Sequence, residues 1–335
     1  MTALWMHLIF MLIVILIASQ FFTNALEHFG HKIGVSAGVT GSIFAAVATA
    51  LPETTVPIIA IVAGTADKVA NQEISVGAIL GAPLMLSTLS TVLMALFAIK
   101  KRGLGGRINP ENVGFKRDMH FFLIAFFFAA IAMYVPLEPK YFRAVISVIL
   151  VCLYITYLFL TCRASGQLVE EGHGVVPDEP IYLTRIGLKD TMGSIMLQLL
   201  LALVLLLYGA KGFITNVETL SHQLHISALL LSLLIIPIAT ELPEKINSIT
   251  WIQKNKDTLG FGNITGAMVF QGTLLPAIGI MLTPWAPSKE VVTGIIVTFL
   301  AALWLRVNAS KNGLTIKALL VNGGLYLLYL CLTLL

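Results

Sequence analysis

Ten stretches of about 20 mostly apolar residues, joined by short polar turns, leave few folds open to this chain. They lie at 3–25, 35–64, 74–99, 118–136, 142–162, 190–215, 226–251, 259–282, 289–307 and 314–334. A helix that crosses the hydrocarbon core of a bilayer needs about that many apolar residues. Of the 335 residues, 57% are hydrophobic and 11% charged, whereas a soluble domain carries roughly 25% charged residues. The chain is therefore expected to be an all-α polytopic membrane protein whose solvent is lipid. The first run, Leu4 to Ala18, lacks both a charged leader and a small-residue cleavage site, so it reads as the first membrane helix. The net charge of +4 is too small to point to nucleic acid. The three cysteines, Cys152, Cys162 and Cys331, sit in apolar runs with neither disulfide nor metal-ligand spacing. The partners expected are the lipid bilayer and inorganic cations, with no soluble protein partner. No cofactor and no enzymatic role is expected.

Lys and Arg distribute unevenly between alternate loops. With the N-terminus outside, 16 fall on the inner side and 5 on the outer side. Basic loops favour the cytoplasm, so both termini are expected outside a cell membrane. The longest polar stretch, 163–189, reads as a solvated cytoplasmic linker.

The chain also repeats itself. A shift of 191 residues places Glu27 on Glu218, His31 on His222, and Ala48-Thr49-Ala50-Leu51-Pro52-Glu53 on Ala239-Thr240-Glu241-Leu242-Pro243-Glu244. A shift of 185 then places Gly77, Gly81 and Ala82 on Gly262, Gly266 and Ala267. Each copy holds five helices, so the second starts from the opposite side of the membrane. The organisation expected is a five-helix repeat at 1–162, the linker at 163–189, and an inverted five-helix repeat at 190–335. Inverted repeats are the architecture of secondary transporters, with the site where the repeats meet.

The residues suited to chemistry are Glu53 and Glu244, matched acids deep in apolar runs. A charge at the bilayer centre costs about 2.5–3.5 kcal/mol on insertion scales, so two at matched positions mark a site. Thr49 and Thr240 lie four residues earlier, on the same helix face. Pro52 and Pro243 remove backbone donors and are expected to kink their helices, loosening the Ala48 and Ala239 carbonyls. Carboxylate, hydroxyl and carbonyl oxygens together suit a hard cation such as Ca²⁺. No convergent His or Cys set points to a softer metal. The pairs Gly77/Gly81 and Gly262/Gly266 have GxxxG spacing and are expected to let the third and eighth helices approach their neighbours closely.

With these motifs in view, the chain resembles the calcium/cation antiporter superfamily, and within it the sodium/calcium exchangers. Those carry two inverted repeats, each with a G-T-S-L-P-E segment and then a G-N-x-x-G-S-N segment. The second segments here read Gly77-Ala-Ile-Leu-Gly-Ala-Pro83 and Gly262-Asn-Ile-Thr-Gly-Ala-Met268. The resemblance covers essentially the whole chain and implies ten helices of the exchanger fold. It implies a divalent cation held by Glu53, Glu244, Thr49 and Thr240, with the Ala46 and Pro237 carbonyls. Its monovalent ligands are altered: the motif serines are Ala50 and Glu241, those after the glycines are Ala82 and Ala267, and the residues four beyond are Leu86 and Gln271. Glu241 and Gln271 remain as further candidate ligands.

The function expected is a secondary cation antiporter, moving Ca²⁺ in exchange for Na⁺ or H⁺. The loss of monovalent ligands beside an added carboxylate, Glu241, favours protons as competitor or replacement for sodium. The other expectations are an antiporter for Mg²⁺, Mn²⁺ or a monovalent cation, and a non-transporting sensor or scaffold that keeps the fold. No H-E-x-x-H or nucleophile-elbow pattern supports an intramembrane hydrolase.

Overall fold

The computed structural model describes residues 2–32, 51–169, 179–310 and 312–334. The elements are α1 (Thr2–Lys32), α2 (Leu51–Ala63), α3 (Lys68–Met85), a π-helical turn (Leu86–Ser90), α4 (Thr91–Arg102), β1 (Arg107–Ile108), α5 (Asn112–Ala132) and α6 (Tyr141–Val169). A 3₁₀ turn (Tyr182–Ile186) leads into α7 (Met192–Leu224), α8 (Ala228–Thr240), α9 (Leu242–Gln253), α10 (Asp257–Leu282), α11 (Lys289–Asn308), β2 (Leu314–Thr315) and α12 (Ile316–Leu334). Among the described residues, seven helical spans are long and apolar enough to cross a membrane, and the apolar stretches of α2 and α8 are shorter. The chain is a multi-pass helical membrane protein.

Caps set the helix starts. Asp67 Oδ1 accepts the amides of Val69 and Ala70 at the head of α3. Glu111 caps α5, Thr191 caps α7 and Ser288 caps α11 through side-chain oxygens. Each satisfies amides that have no partner inside the helix. α7 ends where His225 turns left-handed, with φ 54°.

The chain divides into two compact units. One takes Met1–Asn71 with Leu158–Ile226, and the other Gln72–Tyr157 with Ser227–Leu335. Each unit therefore draws on both sequence repeats. In the first, α1 lies along α7, and α2 packs on both. Small residues allow this approach: a Cβ at Gly209 would meet Ile15 Cγ1 at 2.9 Å, and one at Gly212 would meet Met11 Sδ at 2.6 Å. The later part of the expected linker is not simply solvated. Ile181 and Leu183 are buried, and Ile181 joins Ala25 and Ile195 in a small core. Asn24 and Gln198 hold the segment, bonding to Pro180 O and Tyr182 N, and to Leu183 N, respectively. Two buried apolar side chains, Ile181 at the start of the 3₁₀ turn and Leu183 within it, outweigh the polarity of their neighbours.

The second unit is built around α3, α8, α11 and α12, with Leu84, Leu233, Val297 and Tyr329 in one core cluster. β1 and β2 form a two-residue antiparallel clasp. At one end of this unit Arg102 makes a bidentate pair with Asp257 at 2.7 Å, and Asn109 N donates to the same carboxylate. Lys101 donates to Gln253 O. Lys101 and Arg102, two basic residues at the end of α4, thus hold the fold. Elsewhere the buried Arg143 caps the C-terminal carbonyls of α10 at Ile280 and Thr283. The π turn has its own partner: fully buried Asn322 of α12 donates to Ser87 O. π turns are uncommon and frequently sit near functional sites.

Candidate functional site

The acidic motif of the first repeat lies on α2. The Glu53 side chain is 4% exposed, in a helix whose Val56 and Ala60 are also buried. Pro57, inside the same helix, removes the amide that the Glu53 carbonyl would accept. Thr49 and Ala46 lie outside the described residues, as does the rest of 33–50.

The matching motif of the second repeat departs from the expected kink. α8 stops at Thr240 and α9 restarts at Leu242, with Glu241 between them at φ −91°, ψ 6°. Pro243 falls in the first turn of α9, where a missing amide costs nothing. The helix is interrupted at Glu241 rather than bent at the proline. The backbone of Glu244 belongs to the first turn of α9, but its side chain lies outside the described residues. Thr240 is buried, and its hydroxyl donates to Ile236 O at 3.0 Å. The hydroxyl proton is thus committed to the helix, leaving only oxygen lone pairs for a ligand.

Sequence reasoning missed the most unusual group here. Lys245 is one of the basic residues that the charge distribution puts on the inner side. It is instead 5% exposed, and its Nζ lies 3.5 Å from Oε2 of Glu241, which is fully buried. The same ammonium donates to Pro237 O at 3.1 Å. That carbonyl also accepts Glu241 N at 3.3 Å. Pro237 was expected as a backbone ligand. With two hydrogen bonds already accepted, it would have to release Lys245 before ligating a metal. The i, i+4 spacing of Glu241 and Lys245 was the legible signal, since that spacing brings side chains together on a helix face.

Gln271 on α10 is 2% exposed, and its Oε1 has no hydrogen-bond partner among the described residues. A buried carbonyl oxygen without a donor is the kind of group a cation satisfies. Nearby in sequence, Asn263 donates to Ser248 Oγ at 3.0 Å, and Thr265 donates to the buried Asp118 at 2.6 Å. Asp118 is an acid that sequence reasoning passed over, although it stands at the head of an apolar run.

The two glycine pairs diverge. A Cβ at Gly77 would collide with Ser232 and the backbones of Leu229 and Leu233, and one at Gly81 with Leu233 O and the Pro237 ring. Helices α3 and α8 meet backbone to backbone there, as expected. At Gly262 nothing described lies within 4 Å, and at Gly266 only the Tyr157 hydroxyl, at 3.7 Å, does. The expected close approach at the second pair is therefore not found among the described residues. In the first unit, side-chain oxygen and nitrogen atoms of Asp67, Glu218 and His222 lie within 4.8 Å of one another, partly open to solvent.

The family model described as "Sodium/calcium exchanger protein" matches residues 3–163 and 194–335. CaxA of Alkalimonas amylolytica is 30% identical over 147 residues, which is 38% of this chain and 46% of that one, so the match spans about half the length of CaxA. The inner membrane protein YrbG of Escherichia coli (strain K12) is 22% identical over 298 residues, 87% of this chain and 85% of YrbG. Among solved structures, the H⁺/Ca²⁺ exchanger CAX aligns with a TM-score of 0.74 at 17% identity, covering 98% of this chain and 82% of CAX. The sodium-calcium exchanger NCX_Mj aligns at 0.57 with 20% identity, covering 99% of each chain. These structures share the fold. The internal sequence repeat, the two Leu-Pro-Glu motifs and a family match over nearly the whole length agree: this chain belongs to the sodium/calcium exchanger protein family, whose members are secondary transporters rather than enzymes.

Proposed function

We propose that this protein is a secondary cation antiporter that moves Ca²⁺ across a cell membrane in exchange for Na⁺ or H⁺, by alternating access. The ligand set proposed is Glu53 and Glu244, Thr49 and Thr240, the carbonyls of Ala46 and Pro237, and Glu241 and Gln271 beside them. The symmetry units are the repeats at 1–162 and 190–335 with the linker 163–189. Both termini lie outside, with the basic loops in the cytoplasm.

The single observation that supports this reading best is the burial of the motif acid Glu53, 4% exposed in a chain of the exchanger family. Carboxylates removed from water are costly unless paired or bound to a cation. Ca²⁺, monovalent ions or protons can each neutralise them. An empty, doubly charged site resists the change of side, which favours exchange over leak.

Purified protein in proteoliposomes tests this. Ca²⁺ uptake is expected to follow an imposed outward gradient of Na⁺ or H⁺, and to fall at least about 100-fold in Glu53→Gln. Uptake that follows a proton gradient and ignores sodium identifies the counter-ion as H⁺; the converse identifies Na⁺. Uptake of Mg²⁺ or Mn²⁺ in preference to Ca²⁺ would reassign the cargo. Equal flux of every cation in wild type and Glu53→Gln would overturn the antiporter reading.

A further inference from the structure

We infer that Lys245 is a tethered monovalent cation, built into the second repeat, whose ammonium occupies the Glu241 carboxylate and the Pro237 carbonyl in place of a free Na⁺. For its meaning in transport the inference rests on the antiporter reading above; its structural content does not.

Three observations carry it. The first is coordination. The Lys245 ammonium sits 3.5 Å from a Glu241 carboxylate oxygen and 3.1 Å from Pro237 O. An ammonium carries one positive charge and offers up to three donors. Its oxygen partners are the kind a small monovalent ion would use. The second is burial. Lys245 is 5% and Glu241 0% exposed, so the pair is not a solvated surface contact, where ion pairs contribute little. Glu241 also sits in the break between α8 and α9, at the N-cap of α9, and its side chain makes no capping bond to the helix there.

The third observation comes from the internal repeat. Under the 191-residue shift, Glu241 and Lys245 correspond to Ala50 and Thr54. The first repeat has neither member of the pair, and the second has both. The acid and the base thus appear together, as expected if each exists for the other. Thr240 and Glu244, which flank and interleave the pair, match Thr49 and Glu53 without change. The added charge in the second repeat therefore arrives already neutralised and leaves the shared ligands unaltered.

The consequence is an asymmetric transporter. The Glu241 carboxylate does not demand a free cation, because Lys245 supplies one that cannot leave. A counter-ion must bind elsewhere, and Na⁺ gains no affinity from Glu241 while the lysine is present.

The test is thermal unfolding of the full-length protein in nanodiscs, titrated with NaCl against choline chloride. Lys245→Met should acquire a Na⁺-specific rise in Tm, because Glu241 then needs a cation. Wild type and the double variant Glu241→Gln/Lys245→Met should lack that added rise. A Lys245→Met protein whose Na⁺ response equals the wild type overturns the inference. So does a wild-type Na⁺ response that the double variant abolishes, and this comparison remains decisive if the single variant does not fold. The readout needs no transport. Loss of the antiporter reading would show as unchanged flux in Glu53→Gln, whereas loss of this inference would show in the Na⁺ titration alone.

Discussion

The two repeats carry the same words and use them differently. In the first, Gly77 and Gly81 lie where α3 and α8 touch backbone to backbone. In the second, Gly262 and Gly266 have the same spacing, with open room or one tyrosine hydroxyl beside them. The motif segments diverge likewise: Ala-Thr-Ala-Leu-Pro-Glu-Thr ends at Thr54, and Ala-Thr-Glu-Leu-Pro-Glu-Lys ends at Lys245. Sequence symmetry reports common descent of a scaffold. What each copy does depends on the side chain that fills the space opposite it.

The largest effect expected on stability is at the charged pair, which the first repeat lacks. Removing one partner of a buried ion pair leaves an uncompensated charge and costs about 3–5 kcal/mol. Lys245→Met should therefore lower unfolding stability by about that much at low Na⁺. Glu241→Gln/Lys245→Met, which removes both charges, should recover most of it. Chemical unfolding of the wild type, Lys245→Met, Glu241→Gln and the double variant in the same detergent checks the cycle. Additive losses would mean that the two residues do not act as a pair.

A smaller effect is expected at the first glycine pair. Gly81→Val places methyl groups against the Leu233 carbonyl and the Pro237 ring, and overpacking of this kind costs about 1–3 kcal/mol. The smallest is at the second pair. Gly262→Ala enters open space on a helix, where alanine is favoured over glycine by roughly 0.5–1 kcal/mol. Stability should stay level or rise slightly. If Gly262→Ala proves as damaging as Gly81→Val, the two pairs are equivalent and the contrast drawn here is lost.

The membrane fold was legible because apolar length is decisive in lipid. All ten marked runs coincide at least in part with described helix, although part of the second, at 35–50, lies outside the described residues. Less legible was anything decided by a helix end. Pro243 read as a kink, but a proline in a first turn is neutral, and the interruption falls two residues earlier at Glu241. The 179–189 segment read as solvated because its charges are frequent. Ile181 and Leu183 nevertheless anchor it. At the site, Glu53, Thr240 and Glu241 stood out as polar residues in apolar runs. Lys245 did not, because a lysine next to a turn reads as an interface charge until its i−4 neighbour is considered. Gly262 and Gly266 were misjudged for a related reason: spacing identifies a smooth helix face, and only tertiary structure says what lies against it.

The central claim is that one matched pair of motif acids, Glu53 and Glu244, one per repeat, binds the cargo although their neighbours differ. Ca²⁺ titration by calorimetry of the nanodisc-embedded wild type, Glu53→Gln and Glu244→Gln tests it most directly. Each single substitution is expected to weaken Ca²⁺ binding at least about 100-fold, roughly 2.8 kcal/mol at 1.4 kcal/mol per tenfold. A variant of either glutamate that binds Ca²⁺ as tightly as the wild type would contradict the account.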